Sequence, residues 1–291
     1  MQIWTIRKLL EWTSNYFKEK NIREARLEAE ILLARALGKD RVYLYANYDA
    51  PVNQDERGIF REFIKRRVRK EPLAYITGIK EFMSLEFRVN PTVLIPRPES
   101  EILVEQAIEL FSDQPCSICD VGTGSGAIAI SLAHYLPLAR VFACDISRQA
   151  LEIARENAAR LEVEVEFQEG DLLSPFLDKE NYFDLIVANL PYIALEDYRT
   201  LDSGVKSYEP QIALLAPGDG LDIYRRLLPQ AHTLLKEGAY LYIEIGWQQG
   251  EKALGMMNNF TEVQLIKDLA GYDRAVMARK GPVDGNRILE S

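Results

Sequence analysis

Apolar positions in residues 1–70 recur every three or four residues, with almost no strand alternation. In "REARLEAEILLARALG", Leu27, Ile31 and Ala34 repeat at helical spacing, and Leu33 and Leu37 widen the stripe. Gly38 follows as a C-terminal stop. A further helix is expected from about Asn53 to Lys70, ahead of Pro72. This stretch reads as a small helical bundle, residues 1–70. Residues 71–98 change grammar. "AYITGIKEF" and "LEFRVN" read as short strands, and "PTVLIPRP" holds three prolines. A β-hairpin and an extended linker are predicted there.

From residue 99 to 291 strands and helices alternate. The helix in "PESEILVEQAIELF" has Glu99 and Glu101 in its first turn, where carboxylates suit the helix dipole. "CSICDV" is followed by "GAIAISLAHYL", "ARVFACD" by "SRQALEIARENAARL", and then come "VEVEFQ" and "FDLIVAN". The helix "GLDIYRRLLPQAHTLLKEG" precedes the strand "AYLYIEIG". Such alternation implies a mostly parallel sheet covered by helices on both faces. The last two strands, near "TEVQLIKD" and "YDRAVMARK", are separated by the short turn "LAG", which can join only antiparallel strands. The fold class is α/β, a doubly wound sheet with an antiparallel end, preceded by a helical bundle.

Composition narrows the function classes. The 291 residues carry 35 Lys and Arg against 44 Asp and Glu, a net charge of −9. That sign gives no general attraction to nucleic-acid backbones or acidic membranes. The basic run "KRRVRK", Lys65 to Lys70, is read as a solvated helix face. Three cysteines and two histidines leave little room for a metal or disulfide framework, so no metal is expected. Cys116 and Cys119 form a CxxC, but inside a strand their odd spacing sends the thiols to opposite faces. With Cys144, they read as small buried side chains in a reducing cytoplasm. No run approaches the roughly 18 apolar residues of a membrane span, and the N-terminal stretch lacks a secretory pattern.

The candidate chemistry begins in "DVGTGSGAIAI", where Gly122, Gly124 and Gly126 lie between a strand and a helix, interleaved with Thr123 and Ser125. Glycines there let the backbone turn sharply and approach a ligand. Nineteen residues beyond Gly126, Asp145 ends the next strand, placed to accept hydrogen bonds from two ribose hydroxyls. The two features together point to an adenosine-containing cofactor. A dinucleotide and S-adenosylmethionine both fit this loop. Asp171, in "QEGDLL" after another strand, adds a third anchor that could meet an adenine amino group.

The fourth strand, "FDLIVA", breaks into Asn189-Leu190-Pro191-Tyr192. In an open parallel sheet, ligands lie beyond the carboxyl ends of the strands, so Asn189 is expected beside the cofactor. A nicotinamide enzyme has no obvious use for this tetrapeptide, whereas a methyltransferase acting on a planar NH2 group has one. The Asn189 side-chain oxygen and the Leu190 carbonyl can accept both N–H bonds of a delocalised nitrogen and favour charge building on it. Pro191 presets the backbone direction, and Tyr192 offers a flat face for the substrate group.

With these residues in place, the chain resembles the peptide-chain release factor glutamine N5-methyltransferases over nearly its whole length. The carrying pieces are the helical half, "LIPRPESE", "DVGTGSGAIAI", "CDIS", "NLPYI", "IEIGWQQG" and "DLAGYDR". The resemblance implies a Rossmann-like methyltransferase domain that uses S-adenosylmethionine to methylate the glutamine of a Gly-Gly-Gln tripeptide in class I release factors. It implies cofactor contacts from Gly122 to Gly126, Asp145, Asp171, Leu172 and Asn189, and a glutamine cradle from Asn189 to Tyr192. It also implies that "IPRPESE" closes over the site with Arg97 and Glu99 near the reacting groups, and that the helical half helps dock the release factor. A monomer without direct nucleic-acid or membrane contact is expected. Two departures stand out: Leu190 where that family usually has proline, and Leu172 where it often has an aromatic residue. Glu244, ending the fifth strand in "IEIG", is expected to position the loop. The rival readings are an adenine N6-methyltransferase on DNA or RNA, a non-catalytic release-factor-binding module and, more distantly, a dehydrogenase. The first would need a basic groove and a base-flipping pocket.

Overall fold

The computed structural model describes residues 3–268 and 270–281. They divide into two compact units, one formed by Met1–Ile79 with Asp202–Tyr208, the other by Lys80–Leu201 with Glu209–Ser291.

The first unit is helical: α1 (Ile6–Glu19), α2 (Ala25–Leu37), α3 (Arg41–Ala46), α4 (Gln54–Val68) and α5 (Leu73–Thr77), joined by the short helix Ser203–Tyr208. The expected stop at Gly38 is present, with φ at +61° and its N–H donated back into α2. Asn53 begins α4 with a reciprocal capping box, its side chain accepting from Glu56 N while Glu56 accepts from Asn53 N. Two expectations need correction. In α2 the fully buried positions are Ala29, Leu32 and Leu33, and Leu27 and Ile31 are only half-buried. The buried face also takes in two carboxylates. Glu30 accepts from Arg26, Arg41 and Tyr45, while Glu28 is paired with Arg67. Nor is "KRRVRK" wholly solvated, because Arg66 and Arg67 turn inward to Glu71 and Glu28. Burial favours neutral groups, but multiple charge-assisted bonds hold the Glu30 carboxyl below its ordinary range.

"AYIT" is not a strand. Leu73 to Thr77 make one helical turn closed by Gly78 at φ +76°, and only Ile79 onward is extended. The hairpin follows as β1 (Ile79–Phe82) and β2 (Leu85–Arg88).

The second unit continues with α6 (Glu101–Phe111), β3 (Cys116–Val121), α7 (Ala127–Tyr135), β4 (Ala139–Asp145), α8 (Arg148–Arg160), β5 (Glu166–Glu169) and β6 (Phe183–Ala188). Then come α9 (Leu195–Thr200), α10 (the Ser203–Tyr208 helix of the first unit), α11 (Asp222–Leu234), β7 (Leu235–Glu244), α12 (Gly250–Met256), β8 (Thr261–Lys267) and β9 (Asp273–Arg279). Seven strands form one sheet in the order β5-β4-β3-β6-β7-β9-β8. The first five are parallel, and β9 pairs antiparallel with both β7 and β8. The α/β sheet with an antiparallel end is therefore as read from the pattern. Part of the "LAG" turn, Leu269, and the last ten residues lie outside the described residues.

One face of the sheet packs Cys119, Phe142 and Phe183 against Tyr224, Leu227 and Ala231 of α11. The other packs Cys116, Val141 and Leu185 against α6 and α7. The two thiols of the CxxC thus lie on opposite faces, free and buried. Among the described residues no helix is long and apolar enough to cross a membrane.

The strand order reverses at β3. The chain runs from β3 outward through β4 and β5, then returns to place β6 on the other side of β3, with Val121 opposite Ala188. Loops leaving the carboxyl ends of β3 and β6 diverge from this switch point and leave a crevice between them.

Candidate active site

The glycine loop and the Asn-Leu-Pro-Tyr loop are those two segments. Gly122 follows β3 with φ at +75°, and its N–H donates to Cys144 O at 2.8 Å. A Cβ on Gly122 would lie 2.6 Å from Cδ2 of Leu190, so the two loops touch with no room for a side chain. Gly126, at φ +82°, starts α7. Between them Gly124 N donates to Asp145 Oδ2 at 2.8 Å, and Ser147 N donates to the other carboxylate oxygen at 2.8 Å. Asp145 is thus fixed across the mouth of the glycine loop by backbone donors from both sides. Partial burial nonetheless raises its pKa above the ordinary carboxylate value.

One cleft is lined by Gly122, Gly124, Asp145, Asp171, Leu172, Asn189, Leu190 and Pro191, together with Thr92, Leu94, Ile223 and Arg226. A smaller adjoining cleft is lined by Arg97, Ser100, Thr123 and Ser125, again with Gly122, Gly124 and Asn189. Most of the sequence-predicted residues are therefore brought together. Five are placed differently from the simplest expectation. Tyr192 lines neither cleft, and its ring packs on the core behind the loop. The Thr123 hydroxyl turns inward and donates to Asp120 Oδ2 at 2.6 Å. The Asp171 carboxylate is exposed and ion-paired with Arg226. Gly126 lies buried beneath the loop, where a Cβ would lie 2.6 Å from Ile130 Cδ1. Glu99 lies exposed on a 3-10 turn, Pro98–Ser100, and lines neither cleft. Arg97 of the same segment is held by Glu209, with Nη2 donating to Oε1 at 2.6 Å. Leu172 is buried at φ +53°, and its carbonyl accepts from the Cys144 thiol at 3.0 Å.

The Asn189 loop is held from beneath and behind. Leu190 N donates to the Tyr224 hydroxyl at 3.1 Å, and that hydroxyl donates to the Glu244 carbonyl at 2.5 Å. The Tyr192 carbonyl accepts from Gln249 Nε2 at 2.9 Å, and the Tyr192 hydroxyl donates to Glu244 Oε1 at 3.2 Å. Asn189 Nδ2 donates to Ser100 Oγ at 2.9 Å. No hydrogen bond from the described residues reaches the Asn189 side-chain oxygen or the Leu190 carbonyl oxygen. Two acceptors on consecutive cleft-lining residues at the carboxyl end of β6 are therefore without partners among the described residues.

Glu244 is 2% exposed, and burial pushes its carboxyl up to about 7 against the bonds from Ser100 and Tyr192. Burial likewise raises Asp120 to about 7. Its Oδ2 accepts from Thr123 and Ala129, while Oδ1, also buried, has no partner among the described residues. Sequence reasoning missed Ser100, Tyr224, Gln249 and Asp120. Ser100, Asp120 and Gln249 lie inside the quoted "IPRPESE", "DVGTGSGAIAI" and "IEIGWQQG", and only Tyr224 carried no local cue.

A crevice at the switch point, a glycine turn, a carboxylate opposite it and two open acceptors on the neighbouring loop define a methyltransferase of the nucleotide-binding α/β kind. A family model described as a methyltransferase domain matches residues 112–281, and one described as the PrmC N-terminal domain matches residues 8–78. The fold is also that of a methyltransferase from Pyrococcus furiosus, with a TM-score of 0.51 at 19% identity over 69% of this chain and 92% of that one. Among curated relatives, the chain is 44% identical to the release factor glutamine methyltransferase of Geobacter sulfurreducens, covering 96% of this chain and 98% of the relative. It is 41% identical to that of Rhodopirellula baltica, covering 95% and 97%. The chain belongs to the release factor glutamine methyltransferase family.

Proposed function

We propose that this chain uses S-adenosylmethionine to methylate the side-chain amide nitrogen, N5, of the glutamine in the Gly-Gly-Gln motif of class I peptide-chain release factors. The observation that carries this reading is the pair of open acceptors, Asn189 Oδ1 and the Leu190 carbonyl, beside the glycine loop. A primary amide offers two N–H donors in one plane, and two fixed acceptors match it.

The residues present fit the cofactor. Gly122 lets the loop close on Leu190, Gly124 leaves open space where a Cβ would project, and Asp145 lines the cleft as an acceptor for ribose hydroxyls. Asp171 and Leu172 line the part of the cleft assigned to the adenine. When bound, S-adenosylmethionine supplies an electrophilic methyl group on a sulfonium centre.

The amide nitrogen is a poor nucleophile because its lone pair is delocalised into the carbonyl. Acceptors on both N–H bonds raise electron density on nitrogen and stabilise the positive charge that builds there. Asn189 and Leu190 do this without taking the proton, and the methylated amide loses it readily to water. Pro191 restricts the backbone after the Leu190 carbonyl, and Tyr192, with its ring against the core and its hydroxyl and carbonyl held by Glu244 and Gln249, anchors the loop from behind. Leu190 in place of proline preserves the carbonyl and adds a side chain that packs on Gly122. Arg97, fixed by Glu209, edges the smaller cleft, and we assign it and Glu99 to contacts with the substrate protein.

We assign the helical unit to docking of the release factor, and place the reaction in the cytoplasm, consistent with three free, buried thiols. We take the protein to act as a monomer. The net charge of −9 supports a protein substrate over nucleic acid.

The test incubates the protein with radiolabelled S-adenosylmethionine and purified release factor, its Gly-Gly-Gln glutamine-to-alanine variant, or duplex DNA. Label is expected on the unaltered factor alone, and Asn189→Ala abolishes transfer while cofactor binding persists. Equal labelling of the alanine variant overturns the assigned position, and labelling of DNA overturns the substrate class in favour of adenine N6.

A further inference from the structure

We propose that Glu244 and Ser100 set which way the Asn189 carboxamide faces, so that its oxygen and not its NH2 group meets the substrate amide. Both are positioning residues, and the inference rests on the reading of Asn189 given above.

The two ends of an asparagine side chain have nearly the same shape, and nothing in the residue itself selects one. The surroundings must do so. Turned the wrong way, Asn189 would oppose the N–H donors of the substrate with donors of its own and lose one of the two acceptors.

Glu244 ends β7 with its side chain buried, and an ionised carboxylate is acceptor-only. Oε2 accepts from Ser100 Oγ at 2.5 Å, and Oε1 accepts from the Tyr192 hydroxyl at 3.2 Å. A serine hydroxyl has one proton, and here it is committed to Glu244. Ser100 Oγ can therefore only accept from Asn189, and it does so from Nδ2 at 2.9 Å. Donation runs in one direction, from Asn189 to Ser100 to Glu244, and the acid at its end fixes the order. Ser100 is itself 3% exposed, so water does not compete for the hydroxyl.

Glu244→Gln nearly preserves shape and reverses the logic. A glutamine NH2 can donate to Ser100 Oγ, which frees the serine proton to bond Asn189 Oδ1 and turn the carboxamide over. Ser100→Ala removes the relay and leaves both orientations open.

The experiment measures single-turnover methyl transfer to release factor, cofactor affinity and melting temperature for wild type, Glu244→Gln, Ser100→Ala and the double variant. We expect Glu244→Gln to lower the transfer rate about 100-fold, the order seen when one preorganised polar contact to a developing charge is lost. Cofactor affinity should stay within about twofold. The double variant should transfer no more slowly than the worse single one, because both changes act through the same amide. A merely structural role would instead lower melting temperature, with rate effects that add.

A second readout is the pH profile. The charged and titratable groups around Glu244 are Tyr192, Arg274 and Glu99, with the Tyr224 hydroxyl on its main-chain carbonyl. The rate should rise with pH as Glu244 ionises near 7, and Glu244→Gln should abolish that limb.

Wild-type transfer to release factor is the control for the functional reading. If it is absent, that reading fails, and the relay is judged separately by the 15N side-chain amide resonance of Asn189. This resonance should shift in Glu244→Gln and Ser100→Ala. A folded Glu244→Gln with wild-type rate, or an unmoved Asn189 resonance, overturns the proposal.

Discussion

Replacing Tyr224 by phenylalanine removes one oxygen atom from the middle of the catalytic unit and leaves the ring in its packing site. The hydroxyl is fully buried, accepts from Leu190 N and donates to the Glu244 carbonyl. Neither backbone group has another partner among the described residues. Because the ring stays, the cost comes from two stranded backbone groups and not from lost apolar burial. An unsatisfied buried group costs about 1–3 kcal/mol. Some relaxation of the loop recovers part of that, so the net destabilisation should be about 2–4 kcal/mol. At the site the Leu190 peptide loses the bond from its N–H to Tyr224, and its carbonyl can swing from the direction proposed to meet the substrate amide. The transfer rate should fall at least about 10-fold through misorientation. Urea unfolding followed by circular dichroism measures the first effect, and single-turnover methyl transfer at saturating cofactor measures the second. Cofactor affinity should be unchanged, because Tyr224 does not line the cleft. An unfolding midpoint and a rate both equal to wild type would refute the claim that this hydroxyl holds the loop.

Two further predictions concern the glycine loop and the buried acids. Gly122→Ala should destabilise by about 2–4 kcal/mol, from about 1–2 for a left-handed alanine and the remainder from overpacking against Leu190. Leu190→Ala in the same chain should recover the overpacking part, and strictly additive urea midpoints would contradict the contact. Glu244 and Asp120, both raised to about 7 from 4.5 and 3.8, hold protons in the native state that the unfolded chain has already lost. Stability from these groups is therefore fully present below about pH 4 and falls as pH climbs to 7, by something on the order of 3 kcal/mol each. Urea midpoints taken from pH 5 to 8 should decline less steeply in Glu244→Gln, and parallel curves for variant and wild type would refute the assignment.

The alternation from β3 to β7 was legible because each buried strand is a short apolar run and each helix is longer with punctuated ends. The convergence of the glycine loop, Asp145 and Asn189 on one cleft was legible because a parallel sheet gathers the carboxyl ends of its strands at one edge. What escaped reading depends on partners far along the chain. Glu28 and Glu30 look like surface letters until Arg67, Arg26, Arg41 and Tyr45 are brought to them. "AYIT" has strand-favouring residues, yet Pro72 and Gly78 bracket a single helical turn. "LLKEG" continues a helical pattern, but Leu235 pairs with Phe183 and so begins β7. Tyr224 reads as one more apolar position of α11, and only the fold reveals that its hydroxyl joins two strand ends.

The helical unit takes Asp202–Tyr208 from deep within the second half of the chain, where Gly204 packs so closely on the Lys70 carbonyl that a Cβ would lie 2.6 Å from it. During synthesis that unit cannot be finished until residue 208 has left the ribosome, by which time β3 to β6 are already available to fold. Cutting the gene at residue 79 would release a bundle missing one of its staves, together with a catalytic fragment carrying an orphan loop. The helical unit is therefore not an independent bead at the front of the chain.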